Sequence, residues 1–339
     1  METATYILGI ESSCDDTAAA VIHNGVVLSN VVAGQKIHEE YGGVVPELAS
    51  RAHQQNIIPV VHQALRKANI DKKELSAIAF TQGPGLMGSL LVGTSFSKSL
   101  ALGLQVPLIA VNHMQAHILA HFIKAEGQMA PSFPFIALTI SGGHTQIVKV
   151  SHYFEMEILG ETIDDAVGEA FDKSAKILGL PYPGGPLIDK YAQSGNPLAF
   201  SFTKPKVGDL EFSFSGLKTA ILYFIERETT KNPNFISENL EDICASIQFT
   251  IVDYLMDKLK NAVAITGINE IAIGGGVSAN SGIRKALKEA ETTLGWKTHI
   301  PRFEYCTDNA AMIAMVGELK YNSQQFSKSN TIAKARLKF

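Results

Sequence analysis

Two stretches of this chain, about 130 residues apart, follow one pattern of apolar strand, short polar turn and returning strand. The first, residues 6–28, reads YILGIESSCDDTAAAVIHNGVVL, with a Gly25 turn into a third strand. The second, residues 135–150, reads FIALTISGGHTQIVKV and turns through Ser141-Gly142-Gly143-His144. Each hairpin is followed by helical sequence and by buried strands, residues 77–81 and 107–111 in the first half and 270–273 in the second. Strands alternating with helices imply α/β layers. The repeated hairpin predicts two related lobes with a ligand between their turns, and Gly127, Pro131 and Pro134 set their boundary near residues 118–134.

With 339 residues the chain is long enough to bury two cores. Its 46% hydrophobic and 18% charged content is that of a soluble globular protein. A net charge of −4 lacks the basic balance of a protein that grips nucleic acid unaided. The segment after Glu318 differs: it carries Lys320, Lys328, Lys334, Arg336 and Lys338 and no acid. It reads equally as a solvated, frayed tail or as a phosphate-contacting one. Three cysteines without a CxxC pair give no disulfide framework and fit a reducing compartment. The start lacks the features of a signal peptide, and the uncharged run from Leu75 to Ser97 is broken by Gln82-Gly83-Pro84-Gly85. A cytoplasmic protein without a membrane span is expected.

Chemistry concentrates first in Asn112-His113-Met114-Gln115-Ala116-His117. Histidines at i and i+4 share a helix face, so both imidazoles can reach one ion. Buried, hydrogen-bonded histidines give the same spacing, and His121 continues the stripe. A zincin helix would need Glu beside the first His, where this chain has Met114. The best candidate for a third ligand is Asp308, at the start of a small, apolar helix; taken alone it reads as a helix N-cap. Two His and one carboxylate with open positions suit Fe2+ or Zn2+.

Gly-rich turns come next. Thr139-Ile140-Ser141-Gly142-Gly143 and Gly274-Gly275-Gly276 let backbone N–H groups approach a phosphate, with Ser278 and Asn280 as polar contacts. Tyr182-Pro183-Gly184-Gly185-Pro186 offers a surface for a flat ring, and each such turn alone also serves as a tight bend. No Walker or GxGxxG pattern is present. Asp165, Glu169 and Asp172 fall at helical spacing, either solvated or, for Asp172, aimed at a ribose hydroxyl. Asp15 and Asp16 either hold a cation beside phosphates or form the first hairpin's turn.

Taken together, GIESSCDDTAAAV (9–21), YGGVVPELASRAH (41–53), QGPGLMGSLLVG (82–93), NHMQAHI (112–118), SGGHTQ (141–146), DDAVGEAFDKSAKILGLPYPGGP (164–186), FSFSGLKTA (212–220), GGGVSAN (274–280) and CTDNAAMIA (306–314) are strongly specific. Nearly end to end the chain resembles the tRNA N6-adenosine threonylcarbamoyltransferase family, once labelled glycoprotein endopeptidases. The resemblance implies a two-lobed α/β fold of the actin, hexokinase and Hsp70 (ASKHA) type, two duplicated RNase-H-like lobes around a nucleotide cleft. It implies one lobe of residues 1–120 with 311–339 and another of residues 121–310. It also implies metal ligation by His113, His117 and Asp308, with Fe2+ favoured, Zn2+ as alternative and Mg2+ a further candidate. Substrate contacts are implied at Thr139, Ile140, Ser141, Gly142, Gly143, Asp172, Gly185, Asp189 and Asn280. Ile247 stands where relatives often have Phe, a difference of packing.

The implied reaction moves a threonylcarbamoyl group from threonylcarbamoyl-AMP to N6 of the adenosine 3′ of the anticodon, position 37, in tRNAs reading codons that begin with A. The residues offer no strong general base; His144 is placed as a hydrogen-bonding or proton-relay group. The resemblance further implies a smaller paralogous subunit and a separate small ATPase subunit as partners. The apolar helix expected over residues 85–102 is either a docking face or core. A kinase or ATPase of the same fold, a metallopeptidase and a non-catalytic scaffold are the competing functions. The His pair speaks against simple phosphoryl transfer, Met114 against a peptidase, and retention of all three candidate ligands against a scaffold.

Overall fold

The architecture comes from a computed structural model that describes residues 4–35 and 37–339. The chain opens with an antiparallel meander, β1 (Ile7–Glu11), β2 (Thr17–His23) and β3 (Val26–Ala33). Every residue of β1 is buried, as expected of a strand covered on both faces. Helices α1 (Ile37–Tyr41) and α2 (Pro46–Ala68) follow. Pro46 occupies the first turn of α2, where a missing N–H costs nothing, and Asn69 ends it in the left-handed conformation. Then β4 (Ala77–Gly83), α3 (Met87–Leu104) and β5 (Leu108–Asn112) add two parallel strands, giving the order β3-β2-β1-β4-β5. Helix α4 (His113–Leu119) begins where β5 stops.

The second meander, β6 (Phe135–Ile140), β7 (Thr145–His152) and β8 (Glu155–Glu161), repeats the first. Helices α5 (Val167–Ile177), α6 (Gly185–Ala192), α7 (Ser215–Lys231) and α8 (Phe235–Thr266) precede β9 (Glu270–Gly274), α9 (Ser281–Thr293) and β10 (Lys297–His299). The order is β10-β9-β6-β7-β8, with β9 parallel to β6 and β10 parallel to β9. Strand for strand this is the first sheet again, with β6 in the place of β1, so the hairpin echo in the sequence marks a duplicated design. Helix α10 (Ala310–Asn322) then packs on the first sheet.

Two compact units result, Met1–Pro131 with Pro301–Phe339, and Ser132–Ile300. In the first, Leu8, Ile10, Val21 and Phe80 of the sheet pack with Ile57, Val60 and Val61 of α2. On α10, Ala310 through Glu318 are all buried. Its approach to the sheet depends on Gly9 of β1, where a Cβ would sit 2.5 Å from the Ala310 carbonyl oxygen and from the Ala314 nitrogen. In the second unit Phe171, Phe212, Phe214, Ile247 and Tyr254 centre the core. Among the described residues no helix is long and apolar enough to cross a membrane. The three cysteines are free thiols.

Two sequence expectations are corrected. The segment after α10 is docked rather than frayed. Ser327 N donates to Leu108 O (2.8 Å), Lys334 N to Gln82 O (2.8 Å), and Gly85 N to Ala335 O (3.2 Å). Asp165 lies before α5, so it does not share a helical face with Glu169 and Asp172. Lys173 instead bridges Asp165 and Glu169, each at 2.7 Å, and so relieves their repulsion.

Candidate functional site

In the first unit the parallel strands β1, β4 and β5 end at the same edge of the sheet, the edge where α/β folds build their sites. Asn112 closes β5 and caps α4: its Oδ1 accepts from Met114 N (2.9 Å) and Gln115 N (3.2 Å). That cap fixes the helix from its first residue, His113, and places His117 one turn on. The imidazoles meet edge to face, centroids 4.7 Å apart, with their Nε2 atoms separated by 3.2 Å. Asp308 Oδ1 lies 3.2 Å from His117 Nε2 and 3.4 Å from His113 Nε2.

Asp308 is available because its neighbour does the capping. Asn309, not Asp308, is the N-cap of α10, its Oδ1 accepting from Met312 N at 3.1 Å. The N-cap expectation for Asp308 is thereby overturned. His121 is buried in the turn Ala120–Phe122 after α4 and stands outside the group of three. Met114 is buried, so no carboxylate occupies the position a zincin base would need.

The donor set fits a divalent cation. Three atoms at the corners of a triangle with sides of about 3.3 Å lie roughly 1.9 Å from its centre, close to the ligand distance of about 2.0–2.2 Å at which imidazole nitrogen and carboxylate oxygen would hold such an ion. Without a proton or cation between them, two facing imidazole lone pairs repel. Nδ1 of His117 is buried without a hydrogen-bond partner among the described residues. His113 is instead oriented from behind: its Nδ1 faces Glu11 Oε2 at 2.9 Å and Ser13 Oγ at 3.2 Å. Glu11 is fully buried, and accepts from Thr81 Oγ1 (2.7 Å) through Oε2 and from Ser13 N through Oε1. A carboxylate behind a ligating imidazole sets its tautomer and raises its basicity.

The electrostatics agree. Burial opposes charge on His113, but the carboxylates of Asp308 and Glu11 outweigh it and hold its pKa well above the usual value. Burial, aided by charge on His113, keeps His117 below its usual value. Burial also disfavours the Asp308 carboxylate, yet the two imidazoles hold it well below the usual carboxylate range. Nearby, burial and then the charges of Asp308, Asp15 and Glu11 push Asp16 up to about 7. Burial and Asp15 raise the Cys14 thiol so far that it is no nucleophile. Negative charge is thus gathered around two buried imidazoles, a setting that attracts a cation.

The remaining expected site residues all belong to the second unit. Thr139 and Ile140 end β6 and are buried; Ser141 and His144 close the following turn through Ser141 N to His144 O (2.9 Å) and His144 N to Ser141 Oγ (3.0 Å). Gly142 and Gly143 are exposed at its tip, with open space where a Cβ would stand. Thr139 pairs with Gly274 of β9, so the second Gly-rich turn lies alongside the first. There Gly275 has a φ of 90°, and a Cβ would strike the Ile140 carbonyl oxygen. Gly168, at the start of α5, donates to Ser141 O at 3.2 Å.

Asp172 Oδ1 accepts from Gly184 N (2.8 Å) and Gly185 N (3.0 Å), which anchors the Tyr182–Pro186 turn to α5. Burial, with Glu169, raises its pKa. Asp189 spends both oxygens on Ser281, from Oγ (2.6 Å) and N (3.0 Å). Asn280 caps α9 through Ile283 N (3.1 Å) and donates to Gln248 Oε1 (2.7 Å). Sequence reasoning missed Glu11, Ser13, Thr81 and Gln248 as supports. The one signal for Glu11 was an acid closing an otherwise apolar strand.

Comparison with known proteins follows the same line. Residues 26–315 match the family described as tRNA N6-adenosine threonylcarbamoyltransferase. The chain is 71% identical over 333 residues to the tRNA N6-adenosine threonylcarbamoyltransferase of Christiangramia forsetii, covering 98% of each chain. It is 63% identical to that of Riemerella anatipestifer, covering 98% of this chain and 97% of the relative. Among solved structures, full-length HypF in its phosphate- and nucleotide-bound form superposes with a TM-score of 0.61 at 13% identity, over 95% of this chain and 47% of that one. Component A of the Acidaminococcus fermentans (R)-2-hydroxyglutaryl-CoA dehydratase superposes with a TM-score of 0.53 at 15% identity, over 92% and 97%. These likenesses carry the fold, of the ASKHA type.

Proposed function

The chain belongs to the tRNA N6-adenosine threonylcarbamoyltransferase family, and we propose how its residues carry that activity. It is an enzyme, a transferase that modifies N6 of adenosine in tRNA. We infer that His113, His117 and Asp308 hold one divalent metal ion, Fe2+ by preference and Zn2+ as the alternative, since two imidazoles and a carboxylate suit either. The observation that carries this is the convergence of three ligand atoms from two chain-distant elements within 3.2–3.4 Å of one another. A bound cation of this kind supplies Lewis-acid stabilisation of charge developing on an acyl oxygen.

The donor in this proposal is threonylcarbamoyl-AMP, a mixed anhydride, and the acceptor is the adenosine at position 37 of tRNAs reading codons that begin with A. The N6 amine attacks the carbamoyl carbon, the bond to the phosphate oxygen breaks, the N6 proton is lost and AMP departs. An exocyclic amine is a poor nucleophile, so the residues work chiefly by positioning. Glu11 keeps the His113 Nε2 lone pair directed at the cation site. Gly142 and Gly143 present backbone N–H groups to the departing phosphate, Thr139, Ile140 and Ser141 form the strand end and turn that hold them there, and Gly275 shapes the neighbouring turn. Asp172 contacts a ribose hydroxyl with the oxygen it does not spend on Gly184 and Gly185. Gly185, Asp189 and Asn280 complete the nucleotide contacts, and Mg2+ is a candidate companion to the phosphates. His144, whose backbone closes the phosphate turn, is the candidate proton relay.

A smaller paralogous subunit and a separate small ATPase subunit complete the proposal. The α3 face that exposes Met87, Leu91 and Leu102, the last at 81%, offers the first of them an apolar surface. The test is incubation of the chain and these companions with threonylcarbamoyl-AMP and unmodified tRNA, followed by mass spectrometry of the nucleosides. Threonylcarbamoyladenosine should form, and His113→Ala should fold but lose the product. Full activity in that variant would refute the role given to the metal.

A further inference from the structure

Residues 331–339 form an irregular strap on the first unit with two different sides. Its backbone reaches inward. Besides the bonds of Lys334 N and Ala335 O described above, Ile332 O accepts from Gln82 Nε2 (2.9 Å) and Lys338 O from Asn112 Nδ2 (3.2 Å). Gly83 is pressed so closely on Lys334 O that no Cβ would fit. The strap therefore seats the loop after β4 and the residue that caps α4, and that loop in turn grips Ser13 O through Leu86 N at 2.7 Å. The side chains alternate. Ala333, Ala335, Leu337 and Phe339 are buried or half-buried, whereas Lys334, Arg336 and Lys338 are exposed.

This outward row is cationic in a chain of net charge −4, and no acid follows Glu318. Among the described residues neither Lys334 nor Arg336 makes an ion pair with a carboxylate. Basic side chains held on a fixed backbone and spared internal partners suit phosphates, because neutralising a polyanion releases its counterions. We propose that this strap is a contact surface for the tRNA phosphate backbone, with Lys334 and Arg336 as its contact residues; the choice of tRNA as the polyanion rests on the family activity. Such contacts fix register without reading sequence, and they lie on the segment that seats the metal-bearing helix.

The test is equilibrium binding of an unmodified tRNA transcript to the full-length chain, without threonylcarbamoyl donor, across 50–300 mM salt chosen around about 0.1 M, where counterion release dominates. The K334Q/R336Q variant should weaken binding about tenfold or more at 0.1 M salt and make the slope of log K against log salt shallower by about 1 to 2. K334R/R336K should restore the slope. Unchanged metal affinity and an unchanged melting temperature would show that the strap remains docked. Equal affinity and slope in wild type and K334Q/R336Q would overturn the proposal, as would failure of the wild-type chain to bind tRNA at 50 mM salt. Strap-dependent binding by a chain that yields no modified nucleoside would instead count against the proposed chemistry alone.

Discussion

Glu11 Oε2 lies 2.9 Å from Nδ1 of His113, so a carboxylate that solvent never reaches decides which face of the imidazole looks toward Asp308. The consequence is directional. With Nδ1–H donated to Glu11, the Nε2 lone pair is left for a cation.

Glu11→Gln should therefore be more damaging than its small change of shape suggests. Ser13 N donates to Oε1, so the Gln carbonyl must take that place and turn its NH2 toward His113. His113 then has to accept at Nδ1 and carry its proton on Nε2. A loss of metal affinity of about 10- to 100-fold is expected, measured by competition with a chromogenic chelator. An affinity equal to wild type would show that Glu11 does not set the tautomer.

Asp308 and Asn309 should separate ligation from capping. Asn309→Ala removes the α10 cap and should cost about 1 kcal/mol in thermal or denaturant unfolding of the metal-free chain. Asp308→Ala should leave helix α10 capped and abolish tight metal binding. The reverse pattern would restore Asp308 as a structural cap.

Proton release should accompany metal uptake. The raised pKa of His113 means that the metal-free imidazole is protonated at neutral pH, held between Glu11 and Asp308. A cation must displace that proton, so affinity should fall about tenfold per pH unit as pH drops below the raised value. Calorimetry at pH 7 in buffers of different ionisation enthalpy should report about one proton released per ion. No buffer dependence would contradict the proton assignment.

Gly9→Ala tests how the fold carries the site. The new methyl would sit 2.5 Å from the backbone of α10, pushing away the helix that Asp308 precedes. A stability loss of about 1–3 kcal/mol is expected, with weaker metal binding, although Gly9 touches no ligand. Wild-type stability would mean that α10 and β1 tolerate a wider gap.

The duplicated design was legible because period and turn chemistry are local. The apolar runs on either side of the Ser141-Gly142-Gly143-His144 turn announce a hairpin from within residues 135–150. The His113 and His117 pair was equally plain, since helical spacing puts both on one face. Asp308 was ambiguous because Asp caps helices well, and only the Asn309 side chain bound to Met312 N frees it. Glu11 was passed over because its partners, Thr81 and His113, lie 70 and 102 residues away. The last segment was unreadable for a similar reason. Its order comes from backbone bonds to Gln82, Gly85 and Leu108, which no side-chain pattern encodes.

X-ray absorption at the metal edge, on the full chain loaded with one equivalent of Fe2+ or Zn2+, tests the central claim most directly. Two imidazole nitrogens and one carboxylate oxygen at about 2.0–2.2 Å are expected, with both imidazoles lost in the H113A/H117A variant. A shell of water and carboxylate oxygens alone, unchanged by that double substitution, would contradict it.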